Sequence, residues 1–213
     1  MTTKIAIIGA GNVGGNLGAT FSKAGFPVHF GVKEDGKKDA ALLERCANDA
    51  VIESVEAAAK WADVVFIAVP AQVAVDIARS LATTLKDKIV VDCNNSLKWD
   101  AGPVWAPPAE GSLAQAIAKA APGAKVVKGF NTFGAEFHAN PKHAGVPANV
   151  FFASDDAGAK KTVSEIATTA GYAPIDAGPL RNAGVLENLA ILWIHLAMVG
   201  GQSRDFTFVM TKK

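Results

Sequence analysis

The chain reads as an α/β protein built on a doubly wound, mainly parallel sheet that is extended by extra strands and followed by a C-terminal helix. Three observations predict this. Short β-branched runs alternate with helical stretches along almost all of the 213 residues. Those runs are continuously apolar, as strands buried on both faces are. The first of them leads straight into Gly9-Ala10-Gly11-Asn12-Val13-Gly14 and then into a helix start, which makes the fold Rossmann-type.

In chain order, Ile5–Ile8 is the first strand and Val28–Val32 the second. Asp63–Val69, Lys88–Asp92 and Val126–Gly129 are three more, and Asn149–Ala153 and Ala173–Ile175 are the extra strands. A further short strand near Val51 is expected between the second and third of these. Helices are expected at Asn12–Ala24, Asp39–Cys46, Val55–Trp61, Ala71–Leu85, Ser112–Ala120, Asp156–Ala170 and Gly184–Val199. The proline-rich stretch Ala101 to Pro108 reads as an irregular loop near the carboxyl edge of the sheet, where such folds bind ligands. Residues 1–213 read as a single domain, with 180–213 as a C-terminal helical extension.

The composition narrows the function. Half of the residues are hydrophobic, enough for a sizeable core, and 21 basic residues balance 20 acidic ones. Nothing suggests a nucleic-acid or membrane surface, which would show a basic excess. Cys46 and Cys93 match no disulfide framework or zinc spacing, so no metal is expected and free thiols suit a reducing cytoplasm. No secretory signal is visible. The longest apolar run, Leu189 to Gly201 with His195 inside it, is shorter than the ~20 residues of a membrane span.

The glycine turn is a pyrophosphate site made from backbone. Gly9 permits the tight turn, Gly11 lets the main chain approach the phosphates, and Gly14 lets helix and strand pack closely. Asn12 and Val13 open the helix, whose N-terminus offers unpaired N–H groups to the anion. NAD-binding versions carry an acid about 20 residues further on, whereas NADP-binding versions carry a nearby basic residue. Here Val32 is followed by Lys33, with Lys37 and Lys38 close behind. This favours NADP, although Glu34 and Asp35 leave a ribose hydroxyl contact open. Ala68-Val69-Pro70 ends the strand expected beside the first and presents its backbone to the riboses.

No group suited to alcohol oxidation stands out. There is no Tyr-x-x-x-Lys, and Tyr172 is the only tyrosine. His29 belongs to a strand, and His138 and His143 fall in an expected loop. His195 reads as a satisfied core histidine. No catalytic acid or base is assigned. Hydride can pass between nicotinamide C4 and a flavin-type ring by stacking, the protein supplying orientation alone. Asn94-Asn95-Ser96 and Asn131-Thr132-Phe133-Gly134-Ala135 offer the amides and small residues such a site needs; they are equally ordinary as turn residues.

Gly9 to Gly14, Phe30-Gly31-Val32-Lys33, Val69-Pro70, Gly129-Phe130-Asn131-Thr132 and Asp176-Ala177-Gly178-Pro179-Leu180 follow the order and spacing of one family. The chain resembles the NADP-dependent deazaflavin-coenzyme reductases and the related oxidoreductase domain of six-transmembrane metalloreductases. The resemblance runs nearly end to end, and Val91 to Lys98 looks closer to the metalloreductase branch. It implies NADPH at the first turn, with Lys33 in place of a family arginine on the 2′-phosphate. Val32 stands where a serine is usual and Ala10 where one branch has threonine, so 2′-phosphate affinity is expected to be either reduced or shifted to Lys37. It also implies that Asn131, Thr132, Phe133 and Ala135 surround the nicotinamide and its acceptor; Asn94 joins them as a substrate contact on residue type and place alone. The implied activity is hydride transfer between NADP(H) and a flavin or deazaflavin, a small-molecule electron acceptor and second substrate.

Two alternatives stay open: an imine or β-hydroxy-acid type reductase, and a non-enzymatic NADP-sensing module. The Trp99 and Trp105 loop either covers a planar acceptor or is simply packed. A helix apolar all round is buried, so Leu189–Val199 and the tail Asp205–Met210 are expected to form a homodimer interface.

Overall fold

A computed structural model describes residues 2–33, 40–47 and 50–211. Six parallel strands form the central sheet: β1 (Ile5–Ile8), β2 (Val28–Val32), β3 (Val51–Ser54), β4 (Val64–Ile67), β5 (Ile89–Asp92) and β8 (Lys125–Lys128). Their spatial order is β3-β2-β1-β4-β5-β8, so the order reverses between β1 and β4. This is the topological switch at which open α/β sheets bind ligands, beyond the carboxyl ends of the strands. All four residues of β1 and of β4 are buried, which is why both are continuously apolar.

Helices cover both faces. α1 (Asn12–Lys23) packs Leu17 and Phe21 onto one face with Phe30, Phe66 and Phe130. α3 (Val55–Trp61), α4 (Ala71–Ser80) and α5 (Leu113–Ala120) cover the other, around Ile8, Val65, Ile67 and Val90. Burying each large apolar side chain stabilises the fold by roughly 1.5–3 kcal/mol before entropy is counted. Ser54, Ser112 and Asp156 cap α3, α5 and α7 (Ala157–Thr169), each accepting from a first-turn N–H.

The extra strands join less intimately than expected. β11 (Asn149–Phe152) and β12 (Ala173–Asp176) pair with each other in parallel. They meet the central sheet through one antiparallel bridge, Lys128 to Ala153.

Several sequence expectations need correction. The stretch Ala101 to Pro108 is not wholly irregular: Pro103–Trp105 within it form β7, which pairs antiparallel with β6 (Leu97–Trp99) just before it. His138 is not in a loop; it is buried in the short helix α6 (Glu136–Ala139), ahead of a small hairpin of β9 (Lys142–His143) and β10 (Val146–Pro147). The α4 helix stops at Ser80, short of the expected Leu85. The helix α2 (Ala40–Glu44) is likewise shorter than expected.

His195 is not a core histidine. The buried face of α8 (Ala183–Met198) runs through Ala183, Leu186, Glu187, Ala190 and Trp193 at helical spacing, which leaves His195 on the exposed face. The helix is therefore not buried all round: Val185, Leu192 and Met198 are exposed. The tail folds back over its own helix. Trp193 stacks on Phe206 and donates to its carbonyl at 2.8 Å, and the Met210 N–H donates to Asn149 Oδ1. Among the described residues, no helix is long and apolar enough to cross a membrane.

Candidate active site

The carboxyl ends of β1, β4 and β5 open onto a cleft of about 520 Å³. One wall is the turn Gly9 to Val13, a second is Ala68 to Ala71, and the floor is Cys93, Asn94 and Asn95.

The glycine wall is shaped for a ligand that needs backbone. Gly9 has φ +100°, and a Cβ there would lie 2.4 Å from the Ala68 carbonyl oxygen. A Cβ on Gly14 would lie 1.9 Å from the Gly9 oxygen, so Gly14 sets the approach of α1 to the turn. Gly11 faces open space, with nothing within 4 Å of an added Cβ. Gly11 also N-caps α1 with no side-chain hydrogen bond, and no acidic residue stands in the first turn. The helix therefore presents uncovered N–H groups and the positive end of its dipole to the cleft. These features fit a dinucleotide pyrophosphate.

The structure brings most of the expected nucleotide residues together. Gly9, Gly11, Asn12, Val13, Ala68, Val69 and Pro70 all line the cleft, and Asn94, expected on the substrate side, lines it too. Gly14 supports it from behind. Lys33 is exposed just beyond β2, and Val32 closes that strand. Lys37, Glu34, Asp35 and Lys38 lie outside the described residues.

The second expected group sits one layer back. Phe130 is fully buried with φ +58°, an uncommon conformation that turns the chain sharply after β8. Asn131, next along, donates from Nδ2 to Asn95 Oδ1 at 2.8 Å and to the Leu186 carbonyl at 3.1 Å. Asn95 donates back to the Asn131 carbonyl at 2.9 Å. Asn131 and Thr132 are buried behind the floor rather than part of the cleft wall. Phe133 packs inward against Phe137, His138 and Tyr172, so it faces the core and not an acceptor. The Ala135 carbonyl accepts from Asn16 of α1 at 2.8 Å. The C-terminal extension clamps this segment from outside: Trp193 lies against Gly134, and Arg204 pairs with Glu136.

Sequence reasoning missed the charged layer beneath Asn94. Lys128 ends β8 and Asp92 ends β5, directly opposite each other in the ladder. Both are fully buried, as is Glu187 of α8. Lys128 Nζ donates to Asp92 Oδ2 at 2.8 Å, to Glu187 Oε1 at 3.2 Å and to the Asn94 carbonyl. Asp92 Oδ1 accepts from the Asn94 backbone and side chain at 3.1 and 2.9 Å. Glu187 accepts from the Leu113 N–H at 2.9 Å and from the Trp105 indole at 2.8 Å. Trp105 is thus packed and paired rather than free to move, while Trp99 is exposed. A signal existed: two neighbouring buried strands end in opposite charges, and a glutamate interrupts an apolar helix.

Three groups at and behind the floor are pushed away from neutral pH. Burial, reinforced by Asp92, pushes the Cys93 thiol well above its usual range, against the opposing pull of Lys128. Burial and Cys93 push the Tyr172 phenol up likewise. Burial lowers the His138 imidazole to about 3, against hydrogen bonding at Phe130 and the charge of Glu136. The described residues include no cluster that could hold a metal ion.

Fold and cleft together define a dinucleotide-binding α/β protein. Residues 4–96 match the model of a family described as NADP oxidoreductase, coenzyme F420-dependent. The chain is 30% identical to the F420-dependent NADP reductase of Methanothermobacter thermautotrophicus, over 92% of this chain and 90% of that protein. It is also 30% identical to the rat metalloreductase STEAP3, over 88% of this chain but only 36% of that much longer protein. A crystal structure from Arthrobacter sp. FB24, assigned as an F420-dependent NADP reductase, superposes with a TM-score of 0.86 at 27% identity, covering 99% of this chain and all of that one. The chain belongs to the family of F420-dependent NADP oxidoreductases. It is an oxidoreductase, in a family described as NADP oxidoreductases that depend on coenzyme F420.

Proposed function

We propose that this protein transfers a hydride between NADP(H) and a planar deazaflavin or flavin acceptor. The observation that carries the reading is the pairing of a backbone-built anion cradle, Gly9 to Val13, with a floor of amides at the same switch point. The N–H groups of Gly11 to Val13 would hold the pyrophosphate, Ala68 to Pro70 the nicotinamide ribose, and Lys33 the 2′-phosphate. Asn94 and the paired Asn95 and Asn131 would fix the reacting rings in relation to each other. Stacking two rings in a fixed geometry supplies the proximity that hydride transfer needs. Cys93, Tyr172 and His138 are all held away from neutral pH, which suits ring-to-ring hydride transfer better than the general-base chemistry of a hydroxy-acid dehydrogenase.

The second subunit of a homodimer would rest on the apolar stripe Val185, Leu192, Met198 and Val199. Sedimentation velocity at micromolar protein should show a dimer, and a monomer throughout would remove that part of the reading.

The deciding experiment is stopped-flow oxidation of NADPH with F420, FMN and a cyclic imine in turn. Saturable turnover with the deazaflavin or flavin is expected. Turnover on the imine alone would replace the reading with an imine reductase. Tight NADPH binding with no turnover on any acceptor would leave a nucleotide sensor.

A further inference from the structure

The three buried charges at the ends of β5, β8 and within α8 do not cancel. Lys128 brings one positive charge, Asp92 and Glu187 two negative ones. Hydrogen bonding fixes this state. Lys128 spends its three N–H groups on Asp92, Glu187 and the Asn94 carbonyl. Both oxygens of each carboxylate accept from N–H donors, and the donors other than Lys128 are neutral: the Asn94 amides, the Leu113 N–H and the Trp105 indole. The N-terminus of α5 at Leu113 offsets part of the Glu187 charge. A surplus of one negative charge remains in a fully buried cluster. Stability alone gives no reason for it, since a well-packed apolar replacement for buried ions is often neutral or stabilising.

The cluster sits directly under the cleft floor: Asp92 and Lys128 both bond Asn94, which lines the cleft. In the order β3-β2-β1-β4-β5-β8 it lies on the β5 and β8 side of the switch, opposite the half of the sheet that carries Lys33. The β5 and β8 half is the one that receives the nicotinamide end of a dinucleotide whose pyrophosphate lies on the glycine turn.

We infer that the Asp92, Lys128 and Glu187 cluster is an electrostatic positioning device that stabilises the positive charge of the oxidised nicotinamide. The inference rests on the hydride-transfer reading. In that reaction NADPH, a proton and the deazaflavin give NADP+ and the dihydro-deazaflavin. The hydride carries two electrons from nicotinamide C4 to the acceptor, the proton comes from solvent, and the nicotinamide ring is left cationic. The dihydronicotinamide ring is neutral, so a fixed negative charge acts on one side of the reaction only. A charge already in place costs no reorganisation when the hydride moves.

The test is calorimetric titration of NADP+ and NADPH into wild type, Glu187→Gln and Asp92→Asn, with thermal melts for each. Each substitution keeps side-chain shape and removes one negative charge. The ratio of the NADP+ to the NADPH dissociation constant should rise about fivefold in each folded variant, the order expected of one unit charge at protein dielectric. The rise should persist in 0.5 M NaCl, because buried charges are poorly screened. Contacts common to both forms, Lys33 on the 2′-phosphate included, cancel in the ratio, so a merely structural role moves both constants together. An unchanged ratio in a variant that melts as a folded protein overturns the inference while leaving the hydride-transfer reading intact. Wild type that binds neither form overturns both. Should both variants fail to fold, wild type decides: NADP+ binding at least as tight as NADPH supports the device, and a clear preference for NADPH contradicts it.

Discussion

The glycine wall and the amide floor of the cleft are made by different means. The Gly9 to Gly14 wall is local: six consecutive residues, no side chain with a polar task, and a shape set by where a Cβ cannot go. The Asn94 side is assembled from afar. Asp92 and Lys128 are 36 residues apart, and Lys128 and Glu187 a further 59. Asn95 meets Asn131 across 36 residues, and Asn131 reaches Leu186 across 55. A binding surface for a diphosphate, common to every dinucleotide, can be built from one turn of chain. A surface that fixes two rings and the charge between them needs elements from most of the protein, including the C-terminal extension.

The comparison breaks most severely at Gly14 and Lys128. Gly14→Ala places its methyl against the Gly9 oxygen and should destabilise the protein by about 3 kcal/mol or more, seen as a large drop in urea midpoint. Lys128→Met leaves two buried carboxylates without their cation and should cost about 3–5 kcal/mol. If either melts like wild type, that side of the cleft is not held as described. Gly11→Ala sharpens the contrast. The new methyl meets no protein atom, so the melting point should hold while the NADPH dissociation constant rises tenfold or more.

A smaller effect tests what lies behind the floor. His138 is lowered to about 3 by burial, so the folded state holds it neutral while the unfolded chain protonates it near 6.5. Its contribution is complete above pH 6.5 and declines as pH falls from there towards 3, by up to ~1.4 kcal/mol per pH unit. Denaturant melts at pH 7 and pH 5 should show this loss in wild type and a flatter profile in His138→Gln. Equal slopes in the two proteins would count against it. The smallest effect belongs to Lys33→Ala, where preference for NADPH over NADH should fall about tenfold with stability unchanged, as steady-state binding would show.

Legibility followed the same divide. β1, β2, α1 and α3 lay within a residue or so of where the apolar runs and the turn placed them, because their signals are local. The place of the glycine turn, between β1 and the start of α1, was readable as well. The β6–β7 hairpin was not: its proline-rich sequence lacks a strand pattern, and Trp105 is held by Glu187, 82 residues away. Phe133 carried the composition of a ring contact but turned inward, since the turn at Phe130 decides which side chains of that segment face the core. His195 misled because helix apolarity alone does not say which face is buried. Once the buried stripe from Ala183 to Trp193 is known, its exposure follows.

The central claim is that nucleotide binding lives in the glycine wall and ring alignment in the amide floor. Single-turnover transfer from NADPH to F420, measured for wild type and Asn131→Ala alongside the NADPH dissociation constant, tests it most directly. The account predicts transfer slowed at least tenfold in the variant, with the dissociation constant within about twofold of wild type, because Asn131 aligns the floor without touching the pyrophosphate wall. Weakened NADPH binding with an unchanged transfer rate would contradict it.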